Sequence, residues 1–453
     1  MIETKPDPVT KQTDPHQEKF EQLIGPSAGK HPAWLFPLRK AGIARFAELG
    51  FPTTRHEDWR FTNVAPIAKL PFKPMVETRA GGVLTNTLDQ LAFGKLPGTK
   101  LVFVNGHFAK ELSTICTLPD GVKAGSLAAA LASDGAFLEK HLARYARTSD
   151  NAFAALNTAF FSDGAFIFVP AGKVVTDPVQ LVFISTATDS GATTHPRNLI
   201  IAEANTRLTV VENYVGTACT PSVTNAVTEL VAGDNAVVEH LKFQDESRDA
   251  FHVATLHAQL GRASHTRLHS FALGAKLSRT NIRTKLDGPG LETILNGLYL
   301  TKGEQLADHH MIVEHAQPNC ASHEYFNGIL EDKSRGVFHG RILVQSIAQK
   351  TDAKQTNKNI LLSDDATVNT KPQLEIYADD VKCTHGATVG QLDEDAIYYL
   401  RSRGIGLETA RQMLIHAFAG EIIDRVKCEP VREELDKLIW SRLEENPHLA
   451  EKK

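Results

Sequence analysis

From Ala165 to about Thr388 the chain shows no helical period; short β-type runs follow one another, separated by Gly, Asp, Asn or Pro turns. AFIFV, VQLVFI, NLIIAE, RLTVVE, AVVEHLKF, FHVATLHA, TRLHSFAL, TNIRTKL, ETILNGLYL, HEYFNGIL, GVFHGRILV and QLEIYA are the clearest. Many of them alternate. In TNIRTKL, Ile282, Thr284 and Leu286 point one way and Asn281, Arg283 and Lys285 the other, as a strand with one buried face requires. About 220 residues of strands, one every 10 to 15 or so, with no helix between them, fit a sandwich or a β-solenoid. The solenoid is favoured, because stacked coils lengthen without widening the core, whereas a sandwich of about 15 strands is oversized for one domain. No strict hexapeptide or nonapeptide repeat is visible, so the pattern supports an irregular parallel β-helix and no more.

Helical patterns flank this stretch. Residues 1–160 read as a mainly helical N-terminal domain that begins with a polar, flexible tail over 1–20. Leu35, Leu38, Phe46 and Leu49 recur at helical spacing and Gly50 with Pro52 supplies a stop. A strand-like LVFVNG follows at Leu101, then a helical stretch from Ser126 to about Arg147 and another that starts at the N-cap candidate Asp150. The strand region is placed at 161–390. Residues 391–453 read as a C-terminal helical domain: DEDAIYYLRSRGI ended by Gly404, a helix from Glu408 to about Val426, and a charged helix opened by Pro430. These helices are suited to cap the solenoid's end or to dock a partner.

A chain of 453 residues with 42% hydrophobic content can bury a large core. Its net charge of -4 argues against nucleic acid, since neutralising phosphates takes a clustered cationic surplus, and favours a protein or small-ligand partner. Five cysteines, at 116, 219, 320, 383 and 428, are odd in number and widely spaced, so they read as reduced thiols. The N-terminus lacks an apolar signal region and no apolar run approaches a bilayer span, which places the protein off the membrane, in the cytoplasm or in an organelle reached by a transit peptide.

No nucleotide-binding loop is encoded. GPSAGKH at Gly25–His31 has too few residues between its glycines, and GIGLET lacks a third glycine, so both read as turns and caps. His309, His310, His315, His323, His339 and His385 crowd the later strands, and DHH at Asp308–His310 resembles the metal-binding tripeptide of one phosphoesterase class. Neighbouring strand residues face opposite ways, however, and most of these histidines read as polar residues of a sheet face. In DDVKCTHGATVG the residues Cys383 and His385 lie two apart on a strand and so share a face, offering a thiol and an imidazole that suit iron or zinc. Against this stands an inert buried Cys next to a turn His. Two ligands do not complete a cluster that takes about four, so any cluster here borrows ligands from another chain.

DDVKCTHGATVGQLDEDAIYYLRSRGI followed by ETARQMLIHAFAGEII resembles the C-terminal signature of the SufD family; NKNILLSDDATVNTKPQLEI resembles its last coils, and FPTTRHEDWRFTNV a segment shared by the scaffold pair SufB and SufD. The resemblance implies a mainly β fold, a right-handed parallel β-helix between helical domains, and a non-catalytic scaffold for iron-sulfur cluster assembly. It implies pairing with SufB through the β-helix, docking of the C-terminal helices on the ATPase SufC around Arg403, Gly404, Ile405, Ala410 and Arg411, and ATP hydrolysis by SufC alone. For the chain on its own it allows a homodimer. His385, with Cys383 beside it, is implied at the SufB interface, where a transient iron-sulfur cluster is shared. Gly404 and Ala410 also have plainer readings, as a helix C-cap and a close-packing residue. SufB-type sequences carry a Cys in the strand resembling NKNILLSDD and read EAT where this chain reads GAT at Gly386–Thr388, which points to the SufD partner and away from the main sulfur acceptor.

Two other classes compete. A polysaccharide-active β-helix enzyme would line a groove with Asp, Arg and aromatic residues and be secreted, and a DHH-type phosphoesterase would hydrolyse phosphate esters with added manganese as a single chain.

Overall fold

The computed structural model describes residues 15–76, 88–186, 189–216 and 220–444. The β-type runs form two parallel sheets wound into a solenoid of about eight coils. One sheet holds β2 (Ala165–Val169), β4 (Arg197–Ala202), β6 (Val223–Ala232), β8 (Phe251–Leu260), β10 (Leu277–Leu286), β12 (Leu306–His315), β14 (Arg335–Val344) and β16 (Thr367–Ile376). The other holds β1 (Lys100–Val104), β3 (Val179–Ser185), β5 (Arg207–Gly216), β7 (Val237–Asp245), β9 (His265–Ala272), β11 (Glu292–Thr301), β13 (Ala321–Leu330), β15 (Asp352–Leu361) and β17 (Lys382–Gly390). LVFVNG thus joins the solenoid as β1, pairing in parallel with β3.

Inward-facing Leu230, Leu256, Leu268, Leu295, Met311 and Phe326 stack from coil to coil into one continuous core. Corner residues Asn205, Asn235, Asn319 and Asp332 have positive φ, a conformation that short Asn and Asp side chains tolerate better than branched ones. Corner lengths vary. Phe251 sits opposite Leu277, so that coil takes 26 residues, whereas Ala321 sits opposite Asp352, 31 residues on. This is why no fixed repeat shows in the sequence.

Helices cover both outer faces. On the N-terminal side, α1 (Pro15–Leu23), α2 (Leu35–Leu49) and α3 (Ala152–Phe160) pack together through Phe20, Ile43, Phe46 and Leu156. A Cβ on Gly42 would stand 2.9 Å from the Ala155 carbonyl, so α2 and α3 approach at a distance that only glycine permits. All of α3 is buried, and Asn157 donates to the carbonyls of Pro196 and Asn225.

Three sequence expectations for this region are corrected. The tail placed over 1–20 falls outside the described residues up to 14, but residues 15–20 are helical because Phe20 turns into the core. The helix expected from Ser126 to about Arg147 breaks into Leu127–Ser133 and Gly135–Leu138. There the buried carboxylate of Glu229 draws the backbone N–H groups of Ala143, Tyr145 and Ala146 away from helical partners. The cap of α3 is Asn151, whose side chain accepts from the Ala154 N–H at 3.0 Å, while Asp150 pairs with Arg283.

The C-terminal helices are α4 (Glu394–Ser402), α5 (Leu407–Ile423) and α6 (Glu429–Glu444). They do not cap the solenoid. Ile415, Ile422, Ile439 and Leu443 cover Leu241, Phe243, Phe271 and Leu298 on the outer face of the β1 to β17 sheet, which carries the apolar surface needing cover. The two ends of the solenoid therefore differ. The first coils are closed by antiparallel partners, Lys123–Ser126 against β2 and His107–Phe108 against β1. The last coil, β16 and β17, is half-buried to exposed along its length. No helix of the described residues is long and apolar enough to cross a membrane.

Candidate functional site: the open end of the solenoid

Cys383 and His385 lie on β17, the last strand. Register sets their direction: Cys383 continues the inward column of Ser322 and Ala353, and His385 continues the column of Leu295, Glu324 and Gln355. The two therefore share the inward side, as their spacing implied, but no further coil covers them. His385 is exposed, and Cys383 is half-buried against a small apolar cluster with Ala353 and Ile342.

Burial pushes the Cys383 thiol up, and the nearby Asp352 carboxylate pushes it the same way, so the free side chain is a thiol. A bound metal would have to displace its proton. Beneath His385, Gln355 donates Nε2 to Glu324 Oε2 at 2.7 Å, and burial pushes the Glu324 carboxyl up to about 7. The rim of the open end thus carries an imidazole and a thiol, with a protonatable acid below. Among the described residues, neither Cys383 nor His385 belongs to a group of three potential metal ligands.

On the neighbouring flank, Asp393 caps α4 by accepting from the N–H groups of Asp395 and Ala396. Gly404 ends the helix at φ +85°, with the Ile405 N–H returning to the Leu400 carbonyl. Arg403 and Gly404 are exposed, and the Arg403 guanidinium lies 5.0 Å from the centre of the Tyr399 ring. Tyr398 and Tyr399 are 75% and 57% exposed, with Met413 at 39%. Ile405 and Arg411 are half-buried. Ala410 is fully buried in this chain, which matches its plainer reading as a close-packing residue.

The DHH tripeptide is split by its strand. His309 turns inward, 2.9 Å from Ser270 Oγ, while Asp308 and His310 face outward, Asp308 pairing with Arg279. No common site forms from the three. Cys320 is buried, with its thiol donating to the Gly288 carbonyl at 3.2 Å, and Cys219 lies outside the described residues.

A family model described as "SUF system FeS cluster assembly, SufBD core domain" matches residues 183–418, and a model of the SufBD N-terminal region matches 17–181. The chain belongs to the SufBD family. A SufBD family protein of Synechocystis sp. is 34% identical over 426 residues, 92% of each chain. The iron-sulfur cluster assembly protein SufD of Escherichia coli is 31% identical over 90% of this chain and 93% of its own, and SufD of Bacillus subtilis is 28% identical over 90% and 94%. Membership in the SufBD family places this chain in iron-sulfur cluster assembly, in the role of an assembly protein. It leaves no support for the polysaccharide-active or phosphoesterase readings.

Two groupings escaped sequence reasoning. The column of Glu324, Gln355 and His385 depends on coil lengths that the sequence does not declare. The outward pair His310 and His339, with Asp58 beside it, joins segments about 250 residues apart. Only the period-two rule, applied to DHH, hinted that His310 faces away from His309.

Proposed function

We propose that this chain is the SufD half of a SufBCD-type scaffold, joining SufB through the open end of its solenoid and SufC through α4 and α5. The observation that carries this reading is His385, exposed on the last strand of an uncapped coil. An uncovered coil presents unpaired strand edge and half-covered core, which a second solenoid can continue. The imidazole of His385 and, secondarily, the thiol of Cys383 then supply part of a ligand set that SufB completes, and the nascent cluster is the complex's cargo. Without SufB, a second copy of this chain takes the same face as a homodimer.

The exposed Tyr398, Tyr399 and Arg403, with Gly404, Ile405 and Arg411, form the SufC surface in this reading, and residues 391–453 are the docking domain. Nucleotide binding and hydrolysis belong to SufC. Closure of two SufC subunits moves the helices of both scaffold chains, and because α5 and α6 are packed on the flank of the solenoid, that movement reaches the coils next to His385. The setting is the cytoplasm. Co-expression with SufB and SufC, followed by iron and sulfide analysis of the purified complex, tests the assignment: complex formed with His385→Ala but without cluster supports it, and equal cluster content in both defeats it.

A further inference from the structure

On the outer face of β12 and β14, His310 and His339 are paired in register and their rings meet edge to face with centroids 4.3 Å apart. Above them passes the short turn Glu57–Trp59 from the N-terminal segment, which brings Asp58 Oδ1 to 3.8 Å from His310 Nε2. One ligand atom from each of Asp58, His310 and His339 lies within 4.8 Å of the other two. We propose that these three residues form a binding site for a divalent first-row transition ion, zinc or iron(II), distinct from the open end of the solenoid.

Both imidazoles are buried, at 6% and 8% exposure, yet each keeps a ring nitrogen without a hydrogen bond: Nδ1 of His310 and Nε2 of His339. A buried polar atom left bare costs free energy unless something fills the vacancy. The turn above is anchored independently. Arg279 donates to the Asp58 carbonyl at 2.8 Å and stacks 3.7 Å from the centre of Trp59, while Lys371 pairs with Glu57.

Arg279, Arg283, Arg341 and Lys371 surround the site, and their positive charge is partly offset because each is paired, with Asp308, Asp150, Glu375 and Glu57 in turn; the Asp58 carboxylate has an imidazole as its ion-pair partner. Two neutral imidazoles and one carboxylate are a ligand set that zinc and iron(II) favour. Tetrahedral ligands about 2.0–2.1 Å from zinc stand roughly 3.4 Å apart, so the site must contract. Asp58 can supply the movement, because its side chain is 55% exposed and hangs from a turn. A groove of about 450 Å³ lined by Asp58, His310 and Arg341 gives an ion access and leaves room for water at the open position.

An ion bound here would tie the N-terminal turn to the solenoid's flank. The test uses the full chain with Cys383→Ser and His385→Ala as background, so that it stands whether or not the open-end assignment does. Zinc, and iron(II) without oxygen, are each measured by equilibrium dialysis, with X-ray absorption on the bound ion. One equivalent in an all-nitrogen-and-oxygen shell is expected, with a melting temperature that rises with free metal. His339→Gln should abolish that equivalent and Asp58→Asn should weaken it about 100-fold. Asp58 and its neighbours sit at the surface, so Asp58→Asn keeps the fold and decides the matter even if the histidine variant does not. The proposal is overturned by the absence of a stoichiometric ion, by sulfur in the shell, or by binding indifferent to Asp58→Asn.

Discussion

Gln355 donates its side-chain amide to the buried carboxyl of Glu324 at 2.7 Å, and the next residue along that column, over Gln355, is His385 on the last strand. The open end is therefore floored by a carboxyl whose ionisation is suppressed, with a single amide between it and the exposed imidazole.

Burial raises the Glu324 carboxyl in the folded chain to about 7, above its ordinary value of 4.5. A raised acid stabilises the fold fully below its unfolded value, and that stability is lost as pH climbs from about 4.5 through 7. Glu324→Gln keeps the shape and the Gln355 contact without the ionisation. Urea midpoints for the two proteins should coincide near pH 4.5 and separate at pH 8, with the variant more stable by on the order of 3 kcal/mol. Equal midpoints at both pH values would mean that Glu324 is ionised without cost.

Glu229 is the internal tie between the N-terminal segment and the solenoid. It pairs with Arg197 at 2.7 Å, both side chains fully buried, and accepts three backbone N–H groups between Ala143 and Ala146. Glu229→Ala leaves a guanidinium uncompensated in the interior and should cost about 3–5 kcal/mol. Chemical unfolding measures the loss, and limited proteolysis should find new cuts around residues 139–149.

At the helix end by Gly404, packing and the proposed docking can be tested apart. Gly404→Ala forces a Cβ into φ +85° and should cost about 1–2 kcal/mol, although no atom blocks the space. Arg403→Glu and Tyr399→Ala, both at exposed positions, should leave the melting temperature within a degree or two and weaken SufC capture at least tenfold in a pull-down titration. Full SufC binding by both variants would move the docking surface elsewhere.

What the sequence disclosed follows from short-range periodicity. Alternation along TNIRTKL and the spacing of Cys383 and His385 gave the strands and their shared face, because a strand's period of two needs no knowledge of distant residues. The same rule separated His309 from His310. Relationships between coils were hidden, since coils of 31 and 30 residues put Glu324, Gln355 and His385 in one column, while another coil takes 26, so the column emerges only after every corner is counted. Ala410 enters as a docking residue through the family resemblance, with close packing as its plainer reading, and its burial was not legible locally because the apolar surface that α5 shares is assembled from α6 and five separate strands.

The most direct test of the scaffold reading is the cluster content of the complex co-expressed with SufB and SufC, with wild-type chain against His385→Ala. The account predicts that both complexes assemble, that the variant loses most of its iron and sulfide, and that Cys383→Ser loses less. Cluster in the His385→Ala complex at the wild-type level would contradict the assignment of the open end as the assembly site, and failure of the wild-type chain to join SufB and SufC would contradict the scaffold role itself.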